Sequence, residues 1–272
     1  MTILRSTENV PRASIPCCWC GGVLRTFPAK PTYGVCVLCG TYVNRKPPDP
    51  TFLDRVYSFD DYWNESRVAR GMPSIADTKK QFKEDGRLDL WTGIAMELLK
   101  GKEGGSILEI GCAPGVFLSE MQAKGFSVLG IEPDKETAMW IQVNEKVPVV
   151  SGVFPDLPLA GEFDLIAGFD VFEHSYKPVA FMEKVRDLLR PDGYAVFQCP
   201  LVRPEAGYNR EKPFEWAFGN AFNEDEHIFI FTTGSLIRLL KKVGLFLVEN
   251  YRRWAVHHEI FIVRRNLQGT KL

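Results

Sequence analysis

The sequence lacks any run of about 18 apolar residues, the length that a helix needs to cross a bilayer. Its first sixteen residues, MTILRSTENVPRASIP, are too polar for a secretion signal. These two absences predict a cytoplasmic protein with no membrane contact. Because cytoplasmic thiols stay reduced, the seven cysteines are not expected to form disulfides and must be ligands, nucleophiles or core residues.

The sequence also has no large excess of charge of either sign. The 272 residues include 33 basic and 34 acidic side chains, which gives a formal net charge of -1. Proteins that bind nucleic acid through its phosphates need a basic surface, so nucleic acid is not an expected partner. The near-neutral balance favours a small-molecule substrate, and it leaves the oligomeric state open.

Five of the seven cysteines lie close to the N-terminus, where CCWC and CVLC form two C-x2-C pairs with fifteen residues between them. This spacing is typical of two knuckles that close a tetrahedral thiolate site around Zn²⁺. The four ligands would be Cys17, Cys20, Cys36 and Cys39. Because they fill the coordination sphere, we predict a structural zinc ion in a small zinc-ribbon module, residues 1–45. The alternative is a set of redox-active cysteine pairs.

The composition changes after this module. The segment RKPPDP carries three prolines, which suit neither a strand nor a helix, and it predicts a linker. Aromatic and charged residues at roughly helical spacing then continue to Gly101. Residues 46–101 are therefore interpreted as a linker and a helical connector that caps the next domain.

Residues 102–272 alternate short apolar runs with amphipathic stretches, a rhythm typical of a parallel sheet covered by helices. The fold class is therefore α/β. The last two apolar runs, LFLVENYRR and EIFIVRR, have only a short link between them and should pair antiparallel. Residues 200–231 interrupt the rhythm, and we predict a substrate or lid insertion there, because long irregular segments inside a domain are usually functional.

A glycine-rich turn, ILEIGCAPGVFL, connects the first strand of this domain to its first helix. Such a turn lets the backbone approach a ligand at the carboxyl edge of a parallel sheet and directs helix N–H groups at it. Glu132 ends the second strand, where a carboxylate can accept both hydroxyls of a ribose. Together these features predict a nucleoside-containing cofactor. The alternative is a glycine turn that serves packing alone.

These motifs, together with FDLIAGFDVFEHSYKP and LLRPDGYAVFQCP, resemble the successive motifs of class I S-adenosylmethionine-dependent methyltransferases over about Ser106 to Val263. The resemblance implies a Rossmann-like sheet of seven strands with an antiparallel last strand, and S-adenosylmethionine as the cofactor. Many relatives have Asp where this chain has Val153, so backbone contact to adenine is expected there. The cofactor contacts that the resemblance implies are Glu109, Gly111, Cys112, Ala113, Gly115, Glu132, Pro133, Val153, Phe154, Phe169, Asp170 and Val171.

An N-terminal four-cysteine module before such a domain resembles two groups. One contains bacterial sugar C-methyltransferases and related enzymes of polysaccharide and antibiotic pathways, and the other contains ribosomal RNA guanine methyltransferases. The stretch NEDEHIFIFT and the helix after it look like the first group, whose C-terminal domain is not in this sequence. The resemblance implies Glu226 and His227 as the general base, since a histidine beside a carboxylate suits proton removal near neutral pH. His174, after the fourth strand, is the third catalytic candidate.

Two further sets of side chains are candidates for substrate contact. Tyr57, Tyr62 and Trp63 of the connector could cover the active site or simply pack on the domain, and Arg203 and Tyr208 of the insertion could form a substrate wall. The expected function is methyl transfer to a small polar metabolite, a sugar or natural-product intermediate, at oxygen first and at carbon or nitrogen next. The alternatives are an RNA methyltransferase and a non-catalytic binding protein with a cofactor fold.

Overall fold

The computed structural model of the chain describes residues 16–49, 63, 65, 67–69, 71, 73–202, 222–223, 225–252 and 258–266. None of the helices in these ranges combines the length and the apolar character that a membrane crossing requires. In chain order the strands are β1 Leu24–Thr26, β2 Tyr33–Cys36, β3 Tyr42–Asn44, β4 Ser106–Ile110, β5 Ser127–Glu132, β6 Val149–Ser151, β7 Phe163–Phe169, β8 Leu189–Val202, β9 Phe229–Thr232, β10 Leu245–Arg252 and β11 His258–Arg265. The helices are α1 Ile75–Glu84, α2 Arg87–Leu98, α3 Val116–Ala123, α4 Lys135–Asn144, α5 Pro178–Leu188 and α6 Thr233–Lys242, with short helical turns at Arg67–Ala69 and Phe172–His174.

Seven strands form the central sheet in the order β6-β5-β4-β7-β8-β11-β10. The first five are parallel, and β11 runs antiparallel to both β8 and β10. This confirms the expected Rossmann-like sheet with its antiparallel last strand. The parallel strands are apolar on both faces because helices cover both sides of the sheet, and the last four residues of β4 are all buried.

The helices form where an apolar stripe recurs at helical spacing. In α5, a proline occupies the first turn, where its missing N–H costs nothing, and Phe181, Met182, Val185 and Leu188 face the core. α6 begins with a capping box in which Thr232 and Ser235 exchange side-chain and backbone hydrogen bonds. Both helices agree with the amphipathic segments that the sequence predicts.

The segment PDG, which would ordinarily form a turn between a helix and a strand, lies inside β8. Phe163 of β7 pairs with Leu189, and Leu165 pairs with Tyr194, so residues 190–193 bulge out of the ladder opposite one residue of β7. Proline and glycine here produce a bulge within a strand instead of a turn between two elements.

The N-terminal strands continue the sheet through β9. β1, β2 and β3 form an antiparallel meander, and β3 pairs antiparallel with β9. β9 in turn pairs with the last two residues of β8, Leu201 and Val202. The predicted cysteine module is therefore attached by backbone hydrogen bonds to the end of a central strand.

A pair of glycine substitutions tests the packing beneath the glycine-rich turn. A Cβ at Gly130 in β5 would lie 2.5 Å from Sγ of Cys112, whereas a Cβ at Gly93 in α2 meets nothing within 4 Å. Gly130→Ala should lower the free energy of unfolding by about 1–3 kcal/mol through overpacking. Gly93→Ala should raise it by up to about 1 kcal/mol, because alanine is the better helix former. Urea unfolding measures both, and a Gly130→Ala protein as stable as the parent would contradict this packing.

Candidate active site

A cleft of about 900 Å³ opens at the carboxyl ends of the parallel strands. The turns after β4, β5, β6 and β7 form its floor, and α1 and α2 contribute one wall. Of the residues predicted to contact a cofactor, only Gly115 is absent from the lining. The others that line the cleft are Glu109, Gly111, Cys112, Ala113, Glu132, Pro133, Val153, Phe154, Phe169, Asp170 and Val171.

The glycine-rich turn uses its two predicted glycines differently. Gly111 lines the cleft with φ of +67°. A Cβ there would lie 2.9 Å from Cγ2 of Val171, so only glycine fits at this position. Gly115 has φ of +85° at the start of α3, and a Cβ there would lie 2.5 Å from Cγ2 of Ile141 in α4. Gly111 is thus placed for close ligand approach, while Gly115 permits the packing of two helices.

Two buried carboxylates lie at the ends of β4 and β5. Glu109 and Glu132 are 5% and 6% exposed. Burial raises the pKa of Glu132 to about 8, and burial together with the Glu132 charge raises the pKa of Glu109 well above its usual value. Within the described residues Oε2 of Glu109 has no hydrogen-bond partner, whereas Glu132 accepts from the backbone N–H of Asp134, at 3.4 Å from Oε1, and from the backbone N–H of Ala113.

Buried acceptors without donors are unfavourable, so this floor suits a ligand that brings N–H and O–H groups. An ammonium group facing Glu109 and ribose hydroxyls facing Glu132 would supply them. The residues present therefore fit the amino-acid and ribose parts of the cofactor that the sequence implies.

A hydrogen-bond chain supports Asp170, which stands at the end of β7 with φ of +56°. Nε2 of Gln198 donates to Oδ2 of Asp170 at 2.9 Å, and Nε1 of Trp91 donates to Oε1 of Gln198 at 3.0 Å. The Trp91 ring stacks on Phe169 at 4.1 Å between centroids. The sequence analysis missed Trp91 and Gln198, although a glutamine inside the apolar strand YAVFQC was a signal of a buried polar network.

The three catalytic candidates occupy two depths. His174 lines the cleft from the turn Phe172–His174, whereas Glu226 and His227 do not line it. His227 is buried, and its ring centroid lies 5.0 Å from that of His174. Nδ1 of His174 lies 3.0 Å from the carbonyl oxygen of Glu226. Because a carbonyl only accepts, Nδ1 carries a hydrogen, and in the neutral ring the lone pair is then on Nε2.

Glu173 joins this histidine pair, which the sequence analysis did not anticipate. One oxygen of its carboxylate, one ring nitrogen of His174 and one ring nitrogen of His227 all lie within 4.8 Å of one another. Glu173 is 1% exposed, and its Oε1 lies 4.0 Å from Nε2 of His174. A buried carboxylate beside two imidazoles can stabilise a proton on either ring. Two nitrogens and one oxygen would also suit a divalent transition metal.

The predicted substrate residues are mostly outside the described part of the chain. Tyr57, Tyr62, Arg203 and Tyr208 fall there. Trp63 is described, is 6% exposed and lines the cleft. Cleft-lining residues that the sequence analysis did not select include Phe82, Arg87, Tyr176 and Lys177.

The four cysteines predicted as ligands converge. Their sulfurs all lie within 4.8 Å of one another, with 3.6 Å between Cys17 and Cys39 and 3.4 Å between Cys20 and Cys36. A tetrahedral ion with Zn–S bonds of about 2.3 Å holds its sulfurs roughly 3.8 Å apart. The geometry of the thiol cluster therefore suits the structural zinc ion that the spacing predicts.

Comparison with protein families gives the site a context. The family model described as "Methyltransferase domain" matches residues 82–250, more than half of the chain. The chain belongs to this methyltransferase family. The matched segment contains the glycine-rich turn, both buried carboxylates and the His174–His227 pair.

Curated relatives are similar over part of their length. The chain is 23% identical over 114 residues to the ubiquinone biosynthesis O-methyltransferase of Acinetobacter baylyi. The aligned segment covers 39% of this chain and 48% of that protein. The chain is 28% identical over 151 residues to the protein of the same name from Cereibacter sphaeroides, covering 53% and 61%. The chain thus spans about half the length of the curated relatives that it matches.

Solved structures share the fold. The magnesium protoporphyrin IX methyltransferase of Synechocystis PCC 6803, solved with bound SAH, superposes with a TM-score of 0.57 at 13% identity, covering 80% of this chain and 100% of that one. A S-adenosylmethionine-dependent methyltransferase from Clostridium acetobutylicum gives a TM-score of 0.50 at 12% identity, covering 63% and 89%. At these identities the likeness shows a common fold.

The raised pKa of Glu132 predicts a pH dependence of stability in the protein without bound ligand. A carboxyl whose pKa is raised on folding stabilises the folded state fully below its unfolded value near 4.5, and that contribution is lost as pH rises to about 8. The parent should therefore lose stability between pH 5 and pH 8.5 relative to Glu132→Gln, by an amount on the order of a few kcal/mol. Urea unfolding of both proteins across this range measures the difference, and parallel curves would contradict the raised pKa.

Proposed function

We propose that this protein transfers the methyl group of S-adenosylmethionine to a small polar metabolite. The observation that carries the proposal is the pair of buried carboxylates, Glu109 and Glu132, on either side of a glycine turn in a methyltransferase fold. The SAH held by the Synechocystis enzyme in the same fold supports this choice of ligand. When bound, S-adenosylmethionine supplies a methyl group activated by a sulfonium.

Each part of the cleft then has a role in holding the cofactor. Glu109 accepts hydrogen bonds from the amino group of the methionine part, and Glu132 accepts them from the ribose hydroxyls. Phe154, which is buried at the end of the β6 turn, flanks the adenine. Val153 is 50% exposed and offers no hydrogen-bonding side chain, so the backbone makes the polar contacts to the base.

The histidines remove the proton of the acceptor. His174 is the candidate that lines the cleft, and its Nε2 carries the lone pair, so we assign proton acceptance to this atom. Glu173 and His227 lie behind it and stabilise the imidazolium that forms. The Glu226 carbonyl fixes the tautomer by accepting from Nδ1 of His174. In this arrangement Glu226 acts through its backbone, and His227 acts through His174.

The acceptor is proposed to be an oxygen of a sugar or natural-product intermediate, with carbon or nitrogen as the next choices. Deprotonation by an imidazole suits a hydroxyl, and the curated relatives are named O-methyltransferases. The resemblance of the N-terminal module and of NEDEHIFIFT to sugar methyltransferases supports a carbohydrate. The near-zero net charge opposes methylation of RNA.

Calorimetry with S-adenosylhomocysteine tests the cofactor site. The parent should bind it, and Glu132→Gln should bind at least about tenfold more weakly, because hydrogen bonds to a charged acceptor are worth about 1.5–3 kcal/mol. Glu136→Gln, an exposed change on α4, is the matched control and should bind as the parent does. A parent protein that binds neither S-adenosylmethionine nor its demethylated product would refute methyl transfer and favour the non-catalytic alternative.

Substitution of the histidines tests the base. His174→Gln and His227→Gln should keep the affinity for S-adenosylhomocysteine and lower turnover by about 100-fold or more, the usual contribution of a general base. Turnover is measured by transfer of labelled methyl groups to a panel of nucleotide sugars and hydroxylated metabolites. Unchanged turnover in His174→Gln would remove that residue from the mechanism. Tight, salt-sensitive binding of structured RNA in a gel shift would overturn the small-molecule assignment.

A further inference from the structure

One hairpin, β2–β3, joins the cysteine cluster to the candidate base. Its turn is the second cysteine knuckle, in which the Gly40 N–H donates to the Cys36 carbonyl and the Cys36 N–H donates to the Thr41 carbonyl, both at 2.9 Å. Its open end is the cross-strand pair of Tyr33 and Asn44. The thiol cluster and this pair therefore occupy opposite ends of one small element, about three residues or roughly 10 Å apart.

The open end of the hairpin holds the backbone of His227. The Tyr33 hydroxyl lies 3.0 Å from the His227 carbonyl oxygen, and Nδ2 of Asn44 donates to the same oxygen at 3.2 Å. The Asn44 N–H donates to the next carbonyl, that of Ile228, at 2.9 Å. Tyr33 and Asn44 are 0% and 1% exposed, so these bonds are shielded from water and define one position of the backbone.

The peptide that links Glu226 to His227 is held on both of its polar groups. The Glu226 carbonyl accepts from Nδ1 of His174, and the His227 N–H donates to the Asn223 carbonyl at 2.8 Å. The Ile228 N–H donates to the Glu173 carbonyl at 3.0 Å on the other side. The segment that carries His227 is thus fixed between the turn that carries His174 and the hairpin.

At its thiol end the hairpin has little core of its own, whereas its open end packs Tyr33 and Tyr42 against Phe222. The buried residues around the thiols are Cys17, Cys36, Cys39 and Val43, and the three strands of the meander have only three or four residues each. Such short strands are marginally stable alone, and structural zinc supplies folding energy to small modules of this kind.

We propose that the hairpin positions the catalytic histidines: Tyr33 and Asn44 fix the backbone of His227, and metal in the four-cysteine cluster holds the hairpin in place. The inference rests on the proposed function of His174 and His227. It assigns Tyr33 and Asn44 as positioning residues, and it makes metal occupancy a condition for the geometry of the base. Cofactor binding, which the proposed function assigns chiefly to the buried carboxylates at the ends of β4 and β5, is expected to be independent of this arrangement.

Metal removal tests the proposal without an acceptor. The chain has four histidines, so nitrogen NMR of the imidazoles gives four ring systems, which His174→Gln and His227→Gln assign. Metal analysis should find zinc near one equivalent in the protein as purified. Chelation should shift or broaden the signals of His174 and His227 while the affinity for S-adenosylhomocysteine stays within about twofold.

Four outcomes of metal analysis and chelation would overturn the proposal. One is a zinc content below about half an equivalent in protein that was never exposed to chelator. Another is unchanged His174 and His227 signals after verified metal loss. The third is loss of S-adenosylhomocysteine binding together with the metal, which would show that the module supports the whole domain. A second equivalent of metal that disappears in Glu173→Gln would make the histidines ligands and also contradict the proposal.

Substitution of the two positioning residues separates their role from that of the metal. Tyr33→Phe and Asn44→Ala, singly and combined, should retain the zinc and the S-adenosylhomocysteine affinity of the parent while the His227 signals move. With an identified acceptor, the double variant should show kcat lowered about tenfold or more, a displaced acidic limb of the pH profile, and KM within about threefold. Tyr42→Phe is the matched control, because it removes a hydroxyl from the same hairpin at a position whose ring packs on Phe222.

The control should match the parent in every measurement. A double variant with parental imidazole spectra would overturn the positioning role, even where methyl transfer itself is established. Conversely, displaced spectra in a protein that transfers no methyl group would leave the positioning of His227 intact and refute the proposed function instead.

Discussion

The length of β8 is the constraint on which the other parts of this structure depend. The strand continues for 14 residues, long enough to pair with β7 and β11 and still offer its last two residues to β9. Gln198, within β8, supports Asp170 at the floor of the cleft. Its far end, Leu201 and Val202, anchors the strand that follows His227. One ladder of backbone hydrogen bonds therefore aligns the cofactor floor, the histidine pair and the cysteine module.

The buried carboxylates at the floor of the cleft suit ligand binding at the expense of stability. Glu109 and Glu132 are buried in surroundings that raise the pKa of both carboxyl groups, an arrangement that a stability-selected core would avoid. A ligand with ammonium and hydroxyl groups removes this penalty when it binds. The site therefore selects for such a ligand, because a molecule without those donors does not compensate the burial of the carboxylates.

The histidine pair shows why a fold family alone does not define a mechanism. The sheet and the glycine turn are properties of the family, whereas the environment of His174 and His227 is formed by Glu173 and by a hairpin outside the matched segment. The candidate base is consequently a cluster of side chains from two separate parts of the chain, and a third part, the hairpin, holds one of them in place. Its inner members are Glu173 and His227, and His174 connects them to the cleft.

The sequence by itself determined the features that are encoded locally. The apolar run of β4, the turn glycine at position 111, the carboxylate that ends β5 and the spacing of the two cysteine pairs each specify their geometry within a few residues. Pattern and spacing were therefore enough to predict a parallel sheet covered by helices and the antiparallel pairing of its last two strands. The resemblance to class I methyltransferases implied the seven-stranded Rossmann-like sheet and most of the residues that line the cleft.

Only the tertiary structure decided which distant residues meet. Trp91 reaches Gln198 across 107 positions, and Tyr33 reaches the carbonyl of His227 across 194. The tertiary structure also showed that the predicted pair, Glu226 and His227, does not act through two adjacent side chains. The Glu226 carbonyl orients His174, while the His227 ring lies beside His174. No local pattern records such contacts, because they arise from the order of the strands in the sheet and from the path of the chain between them.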